Sequence, residues 1–398
     1  MIAAGTSPKT RVQTGLEVLL ENQLDLIQGK RVGIIVHPSS IDSQFQHTLD
    51  LFLNHPEIEL TTVMGPQHGI RGETQDNMIE WEDYKDPVSH LPVYSLYSET
   101  RSPTEKMLSE VDVVVVDLQD IGARYYTFIS TMALAMKACQ EQAKSCIVLD
   151  RPNPINGIDV EGTVLDPDFS SYVGLYPLAI RHGMTVGELA LYFNTEFCIQ
   201  CELHVVQMRG WTREMFFEET ELPWVLPSPN MPSVDAAIVY PGMCLLEGTN
   251  VSEGRGTTRP FECSGAPWVQ PFETAKRLEQ MDLPGAIFRP ISFTPTFHKW
   301  ASQMIGGVQI HVVDRRAFQP FRTGLALLIA YREMGGNQFQ WKKPPYEYEY
   351  ERLPFDILCG TDEVRKQIEA EASLEQIEHS WQDPLQEFRK VRQKYLLY

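Results

Sequence analysis

The sequence predicts an α/β fold, a parallel sheet covered by helices on both faces with a second, smaller α+β domain, and three observations lead there. Short apolar runs alternate with amphipathic helical patterns through the first half, as strands buried on both faces by crossover helices require. Polar residues cluster directly after almost every run. Beyond residue 265 the pattern changes to extended segments followed by helices. The expected division is therefore 1–265 for the sheet domain, which carries most of the motif loops, and 266–398 for the smaller domain.

The apolar runs lie at 31–36 (RVGIIV), 60–64 (LTTVM), 111–117 (VDVVVVD), 146–150 (CIVLD) and 203–208 (LHVVQM). Helical patterns separate them at 16–27, stopped by Gly29, at 44–53, stopped before Pro56, and at 125–142. Thr185 and Glu188 in MTVGELALYF have the spacing of a capping box, which sets a helix start near Val186. The second half offers extended segments at 286–293 and 307–313, then helices at 318–334, 362–372 and 385–397. YEYEY at 346–350 is a compositional oddity, readable as an alternating strand or a loop, with no function assigned.

With 398 residues and 43% hydrophobic content the chain can bury a sizeable core. The 34 Lys and Arg against 53 Asp and Glu leave a net charge of −19. That charge repels a phosphate backbone and an anionic bilayer, so nucleic acid and membrane insertion are excluded as partners. No apolar run approaches the roughly 20 residues of a membrane helix. The opening MIAAGTSPKTRVQTG lacks the apolar core of a signal peptide. The expectation is a cytoplasmic protein, or a secreted one if a leader was trimmed. Seven irregularly spaced cysteines, an odd number, fit reduced thiols. The Cys198/Cys201 pair closes a helical stretch rather than opening one, which argues against a redox motif.

Ligands of open parallel sheets lie beyond the carboxyl ends of the strands. There the sequence places His37, Pro38, Ser39 and Ser40 after the first run, and Gln67, His68, Arg71 and Glu73 (GPQHGIRGE) after the second. Asp117, Asp120, Arg124, Tyr125 and Tyr126 (DLQDIGARYY) follow the third, and Asp150, Arg151, Asn153 and Glu161 (DRPNPINGIDVEG) the fourth. Taken singly, Asp117 and Asp150 read equally well as strand-end caps and the Pro and Gly as turn residues. Four polar loops on one edge make a site. The stretch LEGTNVSEGRGTTRPF adds Glu247, Asn250, Ser252, Glu253 and Arg255 among glycines that admit close ligand approach. Two glutamates there disfavour phosphate, and the order GxxxxGK[ST] is absent. No GxGxxG follows the first strand and no GxSxG occurs, against dinucleotide and serine-hydrolase chemistry. His37, His68, Asp117, Asp120, Asp150 and His182 can supply metal ligands from several loops, so a metal-dependent hydrolase of a small polar substrate stays open, although no HExxH anchors it.

The succession GPQHGIRGE, VVDLQDIGARYYTFISTM, VLDRPNPINGIDVEGTVLD, YPLAIRHGMTVGELA, PSPNMPS and LLEGTNVSEGRGTTRPFE resembles the exo-acting β-N-acetylmuramidase family, long catalogued only as a domain of unknown function. The resemblance runs from about residue 30 to the C-terminus and is densest over 65–261. It implies a Rossmann-like N-terminal domain, a smaller C-terminal domain and an active site in the cleft between them. It also implies release of N-acetylmuramic acid from the non-reducing end of peptidoglycan fragments, without a cofactor. Many members carry Glu where this chain has Gln67, and a Gln does not exchange a proton as a carboxyl does. If that position is catalytic, the role has been lost or moved, and Glu73 in the same loop is the substitute within sequence reach.

Glycoside hydrolysis commonly takes an acid and a second carboxylate, about 5 Å apart for retention and about 6.5–9.5 Å for inversion, or an acetamido group acting from the substrate itself. The carboxylates singled out are Glu161, Glu253, Asp120 and Glu73, in that order. The substrate-binding candidates are Gln67, His68, Arg71, Arg124, Tyr125, Arg151, Asn153, His182, Asn250, Ser252 and Arg255. Arg71, Arg124, Arg151, Arg181 and Arg255 exceed what a neutral sugar needs, and the lactyl carboxylate of muramic acid is a reason for them. Arg181 and His182 can instead fix the following helix, and of Tyr125 and Tyr126 one is expected in the core and one against sugar. Gln67 also keeps alive a non-catalytic muropeptide-binding or sensing protein, which would bind without turnover.

Overall fold

The computed structural model describes residues 11–76 and 78–398. A seven-stranded sheet organises the first half. Its strands are β1 (Arg31–Val36), β2 (Glu59–Gly65), β3 (Tyr84–Lys85), β4 (Pro92–Ser95), β5 (Val113–Asp117), β6 (Ser145–Leu149) and, after the two-stranded ladder of β7 (Glu161–Val164) and β8 (Ala179–Arg181), β9 (Glu202–Val206). The order is β3-β4-β2-β1-β5-β6-β9. All neighbours are parallel except the edge pair β3–β4. All five expected apolar runs became strands, shifted at most two residues at an end.

Alternation divides each strand between two cores. Val113, Val115, Ile34, Val63 and Ile147 pack on one face with Leu16, Leu19, Leu49 and Phe52 from helices α1 (Gly15–Asn22) and α2 (Thr48–Asn54). Beyond the short α3 (Glu105–Leu108), the other face sets Val114, Val116, Ile35 and Val148 against α4 (Phe128–Glu141) and α5 (Val186–Glu196). Period-2 burial on both sides is why these runs read as unbroken apolar stretches. Helix α5 starts where the capping box sets it: the Thr185 side chain accepts from Glu188 N–H, and the Glu188 carboxylate accepts from Thr185 N–H at 3.0 Å. The expected start of α2 at 44 moves to Thr48, because residues 41–47 form a turn closed by an Ile41–His47 bridge.

The second half begins with α6 (Val234–Met243) and a three-stranded antiparallel sheet ordered β10-β12-β11, from β10 (Cys263–Ala266), β11 (Ala286–Phe293) and β12 (Ile305–Val312). Helix α7 (Pro271–Glu279) packs on that sheet and on α8 (Pro320–Gly335), whose Tyr331 hydroxyl meets Ser264 Oγ of β10 at 2.7 Å. Helix α6 also lies against α8 through Gly242 and Gly324, where a Cβ on Gly242 would stand 1.8 Å from the Pro320 carbonyl oxygen. Four helices close the chain: α9 (Pro354–Cys359), α10 (Glu363–Glu369), α11 (Leu374–His379) and α12 (Gln382–Arg392). The terminal Tyr398 returns to the first sheet, its hydroxyl donating to Asp150 at 2.6 Å. Among the described residues no helix is long and apolar enough to cross a membrane. The architecture is two-domain α/β with helix-covered parallel and antiparallel sheets.

In this strand order the switch point falls between β1 and β5, where doubly wound sheets usually open a crevice. Here the protein fills it. The buried His37 ring sits across the gap and its Nε2 accepts from Gln119 N–H at 2.9 Å. Burial lowers the His37 pKa to about 4, so the ring is neutral.

Candidate active site

The polar cavity lies one strand further over. It is lined from the first half by Gln67 and His68 after β2, by Tyr125, Tyr126, Thr127 and Phe128 before α4, and by Ser228 and Met231. The second half contributes Tyr240, Arg255, Phe261, Tyr346 and Glu347. The cavity is narrow, about 30 Å³.

The loop after β2 turns sharply because His68 and Gly69 both take left-handed backbone, at φ 72° and 79°, and glycine allows the second without strain. A side chain at Gly69 would meet Glu73, whose Oε2 would be 2.1 Å from the added Cβ. Glu73 folds back over the outside of the loop, accepting from Arg71 N–H at 2.9 Å and from the Tyr84 hydroxyl at 3.1 Å. It is exposed and does not line the cavity, and Arg71 is exposed as well. His68 donates from Nδ1 to the Thr74 carbonyl at 2.8 Å. Burial lowers its pKa to about 4, which leaves a neutral ring with Nε2 as an acceptor.

Gln67 belongs to a buried relay. Its Oε1 accepts from Thr127 Oγ1 at 2.9 Å and its Nε2 donates to the Tyr97 hydroxyl at 3.1 Å. Tyr97 in turn donates to Glu347 Oε2 at 2.7 Å. Glu347 is the carboxyl the sequence reading missed. It sits in YEYEY at the tip of a turn in which Tyr346 and Glu349 exchange backbone hydrogen bonds, 2.9 Å each way. Glu347 and Tyr348 occupy the two central positions with φ 45° and 66°, a conformation that ordinarily calls for Gly or Asn. Side chains held there cost of order 1 kcal/mol or more each and tend to collect at functional sites. Burial raises the Glu347 pKa to about 7, against the opposing hydrogen bond from Tyr97. Its environment meets the requirement for a general acid at neutral pH.

Behind the turn stands a chain of alternating charge. The Tyr346 hydroxyl donates to Glu247 Oε2 at 2.7 Å, and Arg255 Nη2 donates to Glu247 Oε1 at 2.9 Å. Arg255 Nε lies 3.4 Å from Glu253 Oε1. Glu253 also meets His298 at 3.2 Å and Lys299 at 2.8 Å. Burial would raise the Glu253 pKa, but Lys299, His298 and Arg255 hold it well below the carboxylate range. Glu253 is thus a fixed anion that orients Arg255 and does not line the cavity.

Tyr125 spends its hydroxyl on the Pro241 carbonyl. Tyr126 has Ser228 and Asp120 as neighbours, and burial keeps its phenol protonated. Asp120 accepts from Gly122 N–H at 2.7 Å through Oδ2, which also lies 3.2 Å from His182 Nε2, while the buried Oδ1 has no partner.

The remaining candidates lie outside the cavity. Glu161, on β7, accepts from Arg322 N–H at 2.8 Å in the first turn of α8, and burial raises its pKa to about 7. Arg124 is buried against the carbonyls of Thr163, Leu178 and Leu358, at 2.9, 2.9 and 2.6 Å. Arg151 holds Asp117 bidentately at 2.6 and 2.8 Å. Asn153 staples the next turn, donating to the Met184 carbonyl at 2.9 Å. Ser252 accepts from Gly254 N–H at 3.1 Å, and Asn250 joins Gln338 and Gln340 at 2.9 and 3.0 Å. Asp150 receives Gly187 N–H, Thr185 and Tyr398 and acts as a keystone at the start of α5. Among the described residues no three His, Cys, Asp or Glu side chains converge to hold a metal. The proposed ligands are dispersed: His37 caps the switch point, Asp117 pairs Arg151 and His68 turns to Thr74.

A family model for the N-terminal part of the exo-β-N-acetylmuramidase NamZ matches residues 32–235, and one for its C-terminal part matches 238–398. The chain belongs to this family. It is 44% identical over 393 residues, 99% of this chain and 93% of the relative, to the peptidoglycan β-N-acetylmuramidase NamZ of Bacillus subtilis (strain 168). Two crystal structures of DUF1343 family proteins from Bacteroides fragilis NCTC 9343 share the fold. One has a TM-score of 0.89 at 36% identity, covering 98% of this chain and 100% of the other. The second has a TM-score of 0.77 at 30% identity, covering 98% and 99%.

Proposed function

We propose that this protein is an exo-acting glycosidase that releases N-acetylmuramic acid from the non-reducing end of peptidoglycan fragments, and that Glu347 is its general acid. The observation that carries the assignment is a buried carboxyl of pKa about 7 on the wall of a polar cavity. The family and the Bacillus subtilis relative support the reaction class.

In this reading the Glu347 proton resides on Oε1, since Oε2 accepts from Tyr97. The proton passes to the glycosidic oxygen as the bond to the anomeric carbon breaks. Gln67 does not supply the proton; it fixes Tyr97, which fixes Glu347. Arg255 Nη1 has no protein partner among the described residues and meets the lactyl carboxylate, a charge-assisted contact. Tyr126 offers a ring face and a hydroxyl donor beside Asp120. Asp120, with its unpartnered Oδ1 beside Tyr126, is the candidate second carboxyl, acting through Tyr126 or a water. A cavity of about 30 Å³ has to widen to admit a pyranose.

The test is incubation of the purified protein with N-acetylmuramyl-β-1,4-N-acetylglucosamine, followed by mass spectrometry of the products. Equimolar free N-acetylmuramic acid and N-acetylglucosamine are expected. Binding of the disaccharide without turnover would move the assignment to a sensing protein.

A further inference from the structure

A second, open cleft of about 520 Å³ lies on the far side of Tyr346. Its walls include Asn250, His298, Trp300, Trp341, Lys342 and Lys343. The two lie close together: Tyr346 lines the narrow cavity, and its ring centroid is 5.2 Å from Nζ of Lys342, which lines the cleft. A second connection runs through Lys299, Glu253 and Arg255 at 2.8 and 3.4 Å.

Both tryptophans are fixed. Trp300 donates from Nε1 to the Asn250 carbonyl at 2.7 Å and Trp341 to Glu369 at 2.9 Å. Trp268 packs edge-on against Trp300 with centroids 5.8 Å apart, and Phe355 supports Trp341 at 4.5 Å. The two indoles are only partly buried, so ring surface remains open to the cleft. His298 and Trp300 hold left-handed backbone at φ 67° and 58°, strain of the kind retained at ligand sites.

The cations divide into spent and unspent. Lys299 donates to Glu253 and to the Leu246 and Val251 carbonyls. Among the described residues, Lys342 and Lys343 have no ion-pair partner. Burial, and then the like charge of Lys299, lower the Lys342 pKa, with Glu247, Glu253 and Glu347 opposing them; Lys343 is exposed at the rim of the cleft. In a chain of net charge −19, two lysines without a direct ion-pair partner among the described residues stand beside two fixed indoles and combine an anion site with a stacking surface.

We propose that this cleft binds a carboxylate-bearing sugar of the leaving fragment, a second N-acetylmuramic acid unit, with its ring on an indole and its lactyl carboxylate at Lys342 and Lys343. The proposal rests on the reading of the narrow cavity as the cleavage site. A neutral sugar would leave Lys343 without a counter-charge.

The experiment compares kcat/KM on two peptide-free tetrasaccharides, both with N-acetylmuramic acid at the non-reducing end. In one the third sugar is N-acetylmuramic acid; in the other it is N-acetylglucosamine. The wild type is expected to prefer the first by roughly fivefold, the scale of a solvent-exposed charge pair. Lys343→Ala is expected to erase that preference and Lys343→Arg to keep it. Equal rates for the two substrates in the wild type, or an undiminished preference in Lys343→Ala, would overturn the proposal. If no substrate is cleaved, the cleavage reading has failed. The cleft is then tested by calorimetry with N-acetylglucosaminyl-N-acetylmuramic acid against di-N-acetylchitobiose. Selective, Lys343-dependent binding of the first supports it, and equal binding of both overturns it.

Discussion

Replacing Glu347 by Gln keeps the shape of the side chain and an acceptor for Tyr97 while removing the carboxyl proton. Glu347 is the only carboxyl among the described residues lining the cavity, so no lining group takes over its role. A positioned general acid contributes about 10²–10⁴ in rate, and Glu347→Gln is expected to lose that much kcat on the muramyl disaccharide. The pH profile gives a second signature. With a pKa of about 7, the wild-type kcat/KM falls as pH rises through 7 and the acid deprotonates, and the variant lacks that limb. Stability falls in the same direction of pH. The folded-state pKa lies above the ordinary 4.5, so the stabilising contribution is full below pH 4.5 and is lost as pH rises to about 7. The raised pKa corresponds to about 3 kcal/mol over that window. The variant should therefore resist urea better than wild type at pH 8 by up to about 3 kcal/mol, with no gain at pH 4.5. Turnover within fivefold of wild type, or an unchanged alkaline limb, would refute the assignment.

Gln67→Glu brings a second carboxyl to the Tyr97 hydroxyl, and like charge raises the titration of the pair; the alkaline limb of kcat/KM should move to higher pH. Arg255→Lys removes the planar fork that spans Glu247 and the cavity; a several-fold rise in KM is expected, larger for muramyl than for glucosaminyl substrates. Glu253→Gln leaves Arg255 and Lys299 without their shared counter-charge and should cost about 3–5 kcal/mol in urea unfolding. Glu161→Gln removes a carboxyl that caps α8 outside the cavity; near wild-type kcat is expected, and loss of kcat without loss of stability would count against Glu347.

The fold was legible because burial on both faces gives β-branched runs such as VVVVD a pattern that only a parallel sheet explains, and because Thr185 and Glu188 announce their helix locally. The short strands β3, β4, β7, β8 and β10 carry no comparable apolar run and were not read. At the site, GPQHG and DIGARYY were recognisable as loops at strand ends, and the structure brings Gln67, His68, Tyr125 and Arg255 to one cavity. What separates Arg255 from Arg124, or Glu347 from Glu161, is a long-range pairing: Arg124 meets Leu358, and Glu161 meets Arg322, far along the chain. Glu347 was hidden for another reason. An alternating Tyr/Glu segment reads as solvent-exposed, and nothing local reveals that a left-handed turn drives its second residue inward. Two glutamates with the same pKa of about 7 also show that a raised pKa alone marks burial; of the two only Glu347 lines the cavity.

The most direct test of the central claim is a crystal structure of Glu347→Gln soaked with N-acetylmuramyl-β-1,4-N-acetylglucosamine. The account predicts the muramyl ring in the cavity, with the glycosidic oxygen within hydrogen-bond distance of residue 347 and the lactyl carboxylate at Arg255. A disaccharide bound instead beside Glu73 or Glu161, with the cavity still closed, would contradict it.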